Sequence, residues 1–157
     1  MKKKITIEYE EFSSKSSLRQ EDAMLLEEAT KACRLSHSPF SKFRVGAAVR
    51  MSNGEILSAA NQESAAFPSG LCAERSVLFY AMSKFSGVAV EAIAIVAKQG
   101  NRLTALPTRP CGACLQVLAD AENRGGAPLK VILGSSGKIE VFPSVNSLIP
   151  FSFDNLK

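Results

Sequence analysis

Two short stretches of the chain hold residue types that can do chemistry. LCAERS, at 71–76, sets a cysteine, a glutamate and an arginine close together in an otherwise apolar neighbourhood, and PCGAC, at 110–114, is a C-x-x-C where a loop gives way to a helical pattern. A C-x-x-C pair in a first helical turn turns both sulfurs to one side and fills half of a tetrahedral zinc shell. Cys72 also opens a helix after a loop, so three cysteines stand at two helix N-termini. There the positive end of the helix dipole and the unbonded N–H groups lower a thiol's pKa. Three thiolates leave a fourth position open, which separates catalytic from structural zinc. Zinc makes a water in that position acidic enough to react near neutral pH, and Glu74 is the neighbouring group able to move its proton. Side chains two residues apart on a helix diverge by about 200°, so Cys72 must lie at the cap or in the first turn for both to face one point. The ordinary alternative is a helix start with solvated charges and one apolar core thiol. A structural zinc or redox C-x-x-C module is a further alternative.

The elements that must position these residues follow from periodicity. From Leu18 to Leu35 the apolar residues recur mostly at helical spacing, with acidic residues early and Lys31 and Arg34 late, as the helix dipole favours. Cys33 lies in the body of this helix, with His37 one turn on, and is expected to be a core cysteine. Val45–Val49, the Asn53-Gly54 turn and Ile56–Ala60 read as a hairpin. Residues 61–71 form a loop in which Ser69 is placed to cap the next helix, about Cys72–Lys84. A buried strand at Ala92–Ala97, a helix over about Cys111–Asn123, and strands at Leu129–Leu133 and Ile139–Phe142 complete the order. That order suits an α/β fold with a central sheet covered by helices on both faces. ITIEY, at 5–9, alternates in a way that suits an added edge strand or a segment laid across a neighbouring subunit.

The 157 residues fit a single domain with one core, with 1–17 as an N-terminal extension. The start MKKKITIEYEEF lacks the apolar region of a secretory signal, so a cytoplasmic location is expected, where spaced cysteines bind metal more often than they form disulfides. The net charge of +4 is carried by scattered residues, so no nucleic-acid stripe is expected, and no apolar run is long enough to cross a membrane.

C-x-E followed by P-C-x-x-C is the signature of zinc deaminases that act on nucleobases, here in an all-cysteine form. The chain resembles the cytidine deaminases of the small, homotetrameric, three-cysteine type. The resemblance runs through SPFSKFRVGAAV at 38–49, NQE at 61–63, CAER at 72–75, PCGAC at 110–114 and LIPFSF at 148–153. It implies a three-layer αβα sandwich with a central mixed sheet and one Zn2+ per subunit on Cys72, Cys111 and Cys114. It further implies Glu74 as proton shuttle, a base contact from the Ala73 backbone, Phe43 packed on the base, and Asn61 and Glu63 reading the sugar hydroxyls. Phe153 would reach into the site of an adjacent subunit of a homotetramer. The implied activity is hydrolysis of cytidine and deoxycytidine to uridine and deoxyuridine plus ammonia, in pyrimidine salvage. A cytosine nucleotide or an aminoacyl-nucleoside such as blasticidin S is the alternative substrate.

The chain departs from the family pattern at three places. Leu115-Gln116 stands where Arg-Gln is usual, which leaves Arg75 to offset the negative charge of the three sulfurs. Phe67 stands where tyrosine is common. Arg109 precedes Pro110 where small residues are frequent, and only its backbone carbonyl is expected to be functional.

Overall fold

The computed structural model describes residues 1–154; positions 155–157 lie outside the described residues. In chain order the elements are β1 (Glu10–Phe12), α1 (Gln20–Ala32), β2 (Phe43–Met51), β3 (Ile56–Ala60), α2 (Ala73–Lys84), β4 (Val90–Gln99), β5 (Arg102–Leu103), α3 (Gly112–Gly125), β6 (Lys130–Gly134) and β7 (Ile139–Phe142). They form one mixed sheet in the order β1-β7-β6-β4-β2-β3, with β5 paired to β4. Among the described strands only the β4–β6 pairing is parallel. α3 is its crossover, which is why β4 and β6, hidden on both faces, read as nearly continuous apolar runs.

Alternation along the strands splits the core into two layers. Ala47, Val49, Ile93, Ile95, Val131 and Leu133 face α2 and α3, with Val77, Leu78 and Leu118 packed onto them. Ala48, Ala94, Val96 and Ile132 face α1, which buries Leu25, Leu26 and Ala29. The result is the αβα sandwich with a central mixed sheet. Gly46 sets how closely α1 lies on β2: a Cβ there would collide with the Ala29 carbonyl oxygen and come within 2.7 Å of the Cys33 nitrogen.

Several boundaries differ from the sequence reading for local reasons. α1 begins at Gln20, because Leu18 is extended where it closes a 3-10 turn over Lys15–Ser17. Its end tightens into a second 3-10 turn, Cys33–Leu35. Ser69 does not cap α2; it belongs to the 3-10 turn Phe67–Ser69, and Cys72 takes the cap position. The alternation of ITIEY does not form the edge strand. Ile5, Ile7 and Tyr9 are about half exposed, and pairing starts at Glu10, opposite Val141, where Tyr9 stacks on Phe142 at 4.9 Å between ring centroids. The two-residue strand β5 is too short to leave a pattern in the sequence. α3 ends at Gly126, whose left-handed φ of 65° lets its N–H reach the carbonyls of Glu122 and Asn123.

Candidate metal centre

α2 and α3 start side by side, and both do so with a cysteine. Cys72 caps α2 and Cys111 caps α3, each in extended conformation (ψ 153° and 168°), and neither side chain makes a capping hydrogen bond to its helix backbone. A serine or aspartate at a cap would turn inward to the free N–H groups; these thiols turn instead toward each other. The Sγ atoms of Cys72 and Cys111 are 4.0 Å apart, and with Cys114, in the first turn of α3, all three sulfurs lie within 4.8 Å of one another. Tetrahedral zinc with Zn–S bonds of about 2.3 Å places its sulfurs about 3.8 Å apart, so the trio fits one zinc ion. Among the described residues no fourth cysteine, histidine or carboxylate joins the cluster.

The electrostatics around the sulfurs are those of a metal-ready site. Arg75 Nη2 donates to Cys72 Sγ at 3.7 Å, while its Nε is buried without a partner. The neighbouring Cys114 thiol, then Arg75 and Cys111, bring Cys72 down to about 5, whereas Cys114, beside that thiolate and buried, is pushed up. Glu74 follows Cys72 by two positions and is only 5 % exposed. Burial raises its carboxyl pKa above the ordinary value, and the charge of Cys72 adds to the rise. Ala73 between them is fully buried in the α2–α3 core layer. The cap position of Cys72 thus resolves the angular conflict between residues two apart. Leu115 is half-buried and packs against the core, so among the described residues Arg75 is the one cation bonded to the sulfurs.

A cavity of about 390 Å³ opens beside this cluster, lined by Phe40, Asn61, Glu63, Phe67, Cys72 and Arg75 among others. Asn61 and Glu63 are therefore brought to the sulfurs, and both are held firmly. Asn61 Oδ1 accepts from Ser36 Oγ at 2.7 Å and from the Val45 N–H at 2.8 Å, and its Nδ2 donates to the Phe43 carbonyl at 2.9 Å. That leaves one amide hydrogen for a ligand. Glu63 accepts from the N–H groups of Phe40 at 2.8 Å and Ser41 at 3.2 Å. The Ser41 side chain first, then those N–H groups, hold its carboxyl below the usual value. Phe43 begins β2 and does not line this cavity. Phe153 lines a different one, on α3, where Gln116 grips its backbone through Nε2 to the carbonyl (2.8 Å) and Oε1 from the N–H (2.9 Å). Cys33 lies apart from the cluster, 1 % exposed beneath α1, with its thiol pointed at the Ala29 and Val96 carbonyls.

Residues that the sequence reading left out complete the surroundings. Phe40 packs edge-on against Phe67 at 5.5 Å between ring centroids and walls the cavity. Gln62 ties the loop together, bridging to His37 and Leu71 through its backbone and to the Leu35 carbonyl through its amide. Phe40 lies inside the quoted 38–49 stretch, but nothing in its spacing marks it as a wall rather than a core aromatic. The Arg109 side chain, of which only the backbone carbonyl was expected to matter, forms an ion pair with Glu140 at 2.7 Å.

Residues 19–125 match the profile of the cytidine and deoxycytidylate deaminase zinc-binding region. The chain belongs to this deaminase family. A cytidine deaminase of Halalkalibacterium halodurans is 40 % identical over 131 residues, which cover 83 % of this chain and 92 % of that protein. One from Sporosarcina psychrophila is 38 % identical, covering 82 % of this chain and 88 % of its own. The crystal structure of the Burkholderia pseudomallei cytidine deaminase superposes with a TM-score of 0.73 at 32 % identity, covering 87 % of this chain and all of that one. Within the deaminase family's zinc-binding region, Cys72, Cys111 and Cys114 are the residues whose geometry suits the ion.

Proposed function

We propose that this chain hydrolyses cytidine and deoxycytidine to uridine and deoxyuridine with release of ammonia, with Cys72, Cys111 and Cys114 holding zinc and Glu74 moving the protons. The observation that carries the reading is the juxtaposition of three sulfurs, no fourth donor in their cluster among the described residues, and a buried carboxyl two residues from Cys72. Bound zinc supplies a water made acidic enough to attack at neutral pH. The chain's own residues do the rest. Glu74 takes one proton from the attacking water as its oxygen joins C4 of the cytosine, and delivers that proton to N3. It then takes the remaining hydroxyl proton and passes it to the exocyclic nitrogen, the C4–N bond breaks, and ammonia leaves. A buried carboxyl, poorly solvated when charged, is suited to both accepting and returning a proton. Arg75 offsets the negative charge that three thiolates build around one divalent ion.

In this reading the Ala73 backbone meets the base and Phe43, outside the cavity lining but tied to it through the bond from Asn61 to its carbonyl, packs on the base, while Glu63 and the free Asn61 amide hydrogen meet the sugar hydroxyls. Phe153, 60 % exposed and held by Gln116, completes the site of a neighbouring subunit in a homotetramer. The exposed Phe79 and Tyr80 of α2 support a subunit contact on that face. The whole chain acts as one domain. Among the described residues no helix is long and apolar enough to cross a membrane. The reading extends to a cytoplasmic enzyme of pyrimidine salvage that acts on free nucleosides.

Purified protein incubated with cytidine or deoxycytidine is expected to yield the uracil nucleoside and ammonia in equal amounts, with one zinc per chain by elemental analysis. Zinc-loaded protein that leaves both nucleosides intact would overturn the assignment. Size-exclusion chromatography with light scattering reads the tetramer separately.

A further inference from the structure

Glu140, in β7, is a buried titratable group that the reaction does not use. It is 0 % exposed and stands in register with Leu133, on the sheet face covered by α2 and α3. A buried carboxylate is costly unless cations and hydrogen bonds meet it. Both its oxygens accept from Arg109 Nη2, at 2.7 and 2.9 Å, and Lys138 Nζ lies 3.1 Å from Oε1.

Arg109 comes two residues before Cys111. The connection Pro107–Pro110 has no helix or strand, and its two prolines carry no N–H. Among the described residues, the only hydrogen bonds made from that connection are those of the Arg109 guanidinium to Glu140. Cys111 itself is exposed, whereas Cys72 is half-buried and Cys114 buried. Of the three sulfurs it has the least packing to hold it. On the far side, Lys138 also binds Glu11 of β1 at 2.6 Å, and Glu11 lies directly opposite Glu140 in the sheet register. Glu11, Lys138, Glu140 and Arg109 therefore form a row of alternating charges from the N-terminal strand to the doorstep of Cys111. Glu11, Lys138 and Glu140 all lie outside the stretch that matches the family profile.

We propose that this row is a brace for the zinc centre: Arg109 and Glu140 are positioning residues that fix Cys111, and strand β1 is the outer anchor of the brace. The proposal rests on the reading that Cys72, Cys111 and Cys114 hold zinc.

The test is zinc release to excess chromogenic chelator from full-length R109A, E140Q, R109K and E11A proteins, alongside melting temperatures with and without zinc. Release is expected to quicken roughly ten-fold or more in R109A and E140Q, as when outer partners of metal ligands are removed. R109K should recover part of the loss, and E11A should shift release less, in the same direction. R109A combined with E140Q should be no worse than either alone, because both break one link. Release within about two-fold of wild type in folded R109A, or in the R109A/E140Q double variant that leaves no unpaired buried charge, would overturn the brace even if E140Q did not fold. So would equal losses of melting temperature with and without zinc at unchanged release, which would assign the pair to the fold alone. A wild type that retains no zinc would overturn the reading of the centre itself, and the brace with it.

Discussion

Glu74 and Glu140 are almost equally hidden from water, yet their surroundings differ in kind. Glu140 is saturated: two cations meet its oxygens. Two other hidden carboxylates are treated the same way. Glu122 accepts the N–H groups of Leu129 and Val145 at 2.7 and 2.9 Å and the Ser144 hydroxyl at 2.9 Å, and Asp22 pairs with Lys130 at 2.9 Å and Arg50 at 3.3 Å. Glu74 has no such ion pair among the described residues; thiols are its close company, and its carboxyl is raised by burial. Burial alone therefore does not separate the proposed proton carrier from a structural carboxylate. The separation lies in how many of its lone pairs the fold has already taken, because a proton carrier needs an oxygen left over.

The comparison breaks most directly at Glu74. E74Q is expected to lower kcat for cytidine by about 10²–10⁴-fold, with zinc content and melting temperature unchanged; a stability loss with activity retained would place Glu74 among the structural carboxylates. E122A should do the reverse. Leaving the Leu129 and Val145 N–H groups without an acceptor is expected to cost about 2–4 kcal/mol in urea unfolding, while KM for cytidine in the folded fraction stays as it was. R75A sharpens the electrostatic half of the contrast, since it removes the cation bonded to the Cys72 sulfur. Zinc release should quicken by about ten-fold, with less effect on the zinc-free fold.

The smallest effect is at Asp22. Burial works to raise its pKa, but the hydrogen bond and charge of Lys130, with Arg50 and Arg19, outweigh it, and the net shift is downward. A carboxyl lowered in the folded state contributes stability that is present above its ordinary value of 3.8 and is lost as pH falls through the folded value. Urea midpoints should therefore fall as acid is added below about pH 4, and D22N should be less stable at neutral pH but flatter over that window.

The sulfur cluster and Glu74 were legible because a metal site needs particular residue types at particular spacings, and both halves of the motif open helices whose starts the Pro and Gly punctuation marks. The sheet was legible strand by strand: Ile56–Ala60 and Ile139–Phe142 stand where the pattern puts them, and the longer β2 and β4 extend past the predicted runs at both ends. What failed was local. The ITIEY alternation says that a stretch suits a strand but not which residues find a partner, and the edge of β7 accepts Glu10–Phe12 instead. Ser69 looked like a cap, yet the backbone tightens one turn early and hands that position to Cys72. The Arg109–Glu140 pair joins residues 31 positions apart through side chains alone, and no periodicity announces such a contact.

Cys72 and Cys111 also lie 39 residues apart. An ion held by both closes a loop that contains all of α2, β4 and β5. Closing such a loop costs an unfolded chain entropy that grows as about (3/2)RT ln n, so zinc retained in the denatured state shortens the search that brings the two helix starts together. The metal of the reaction is in that sense also a removable cross-link, and chelation should slow refolding as well as stop turnover.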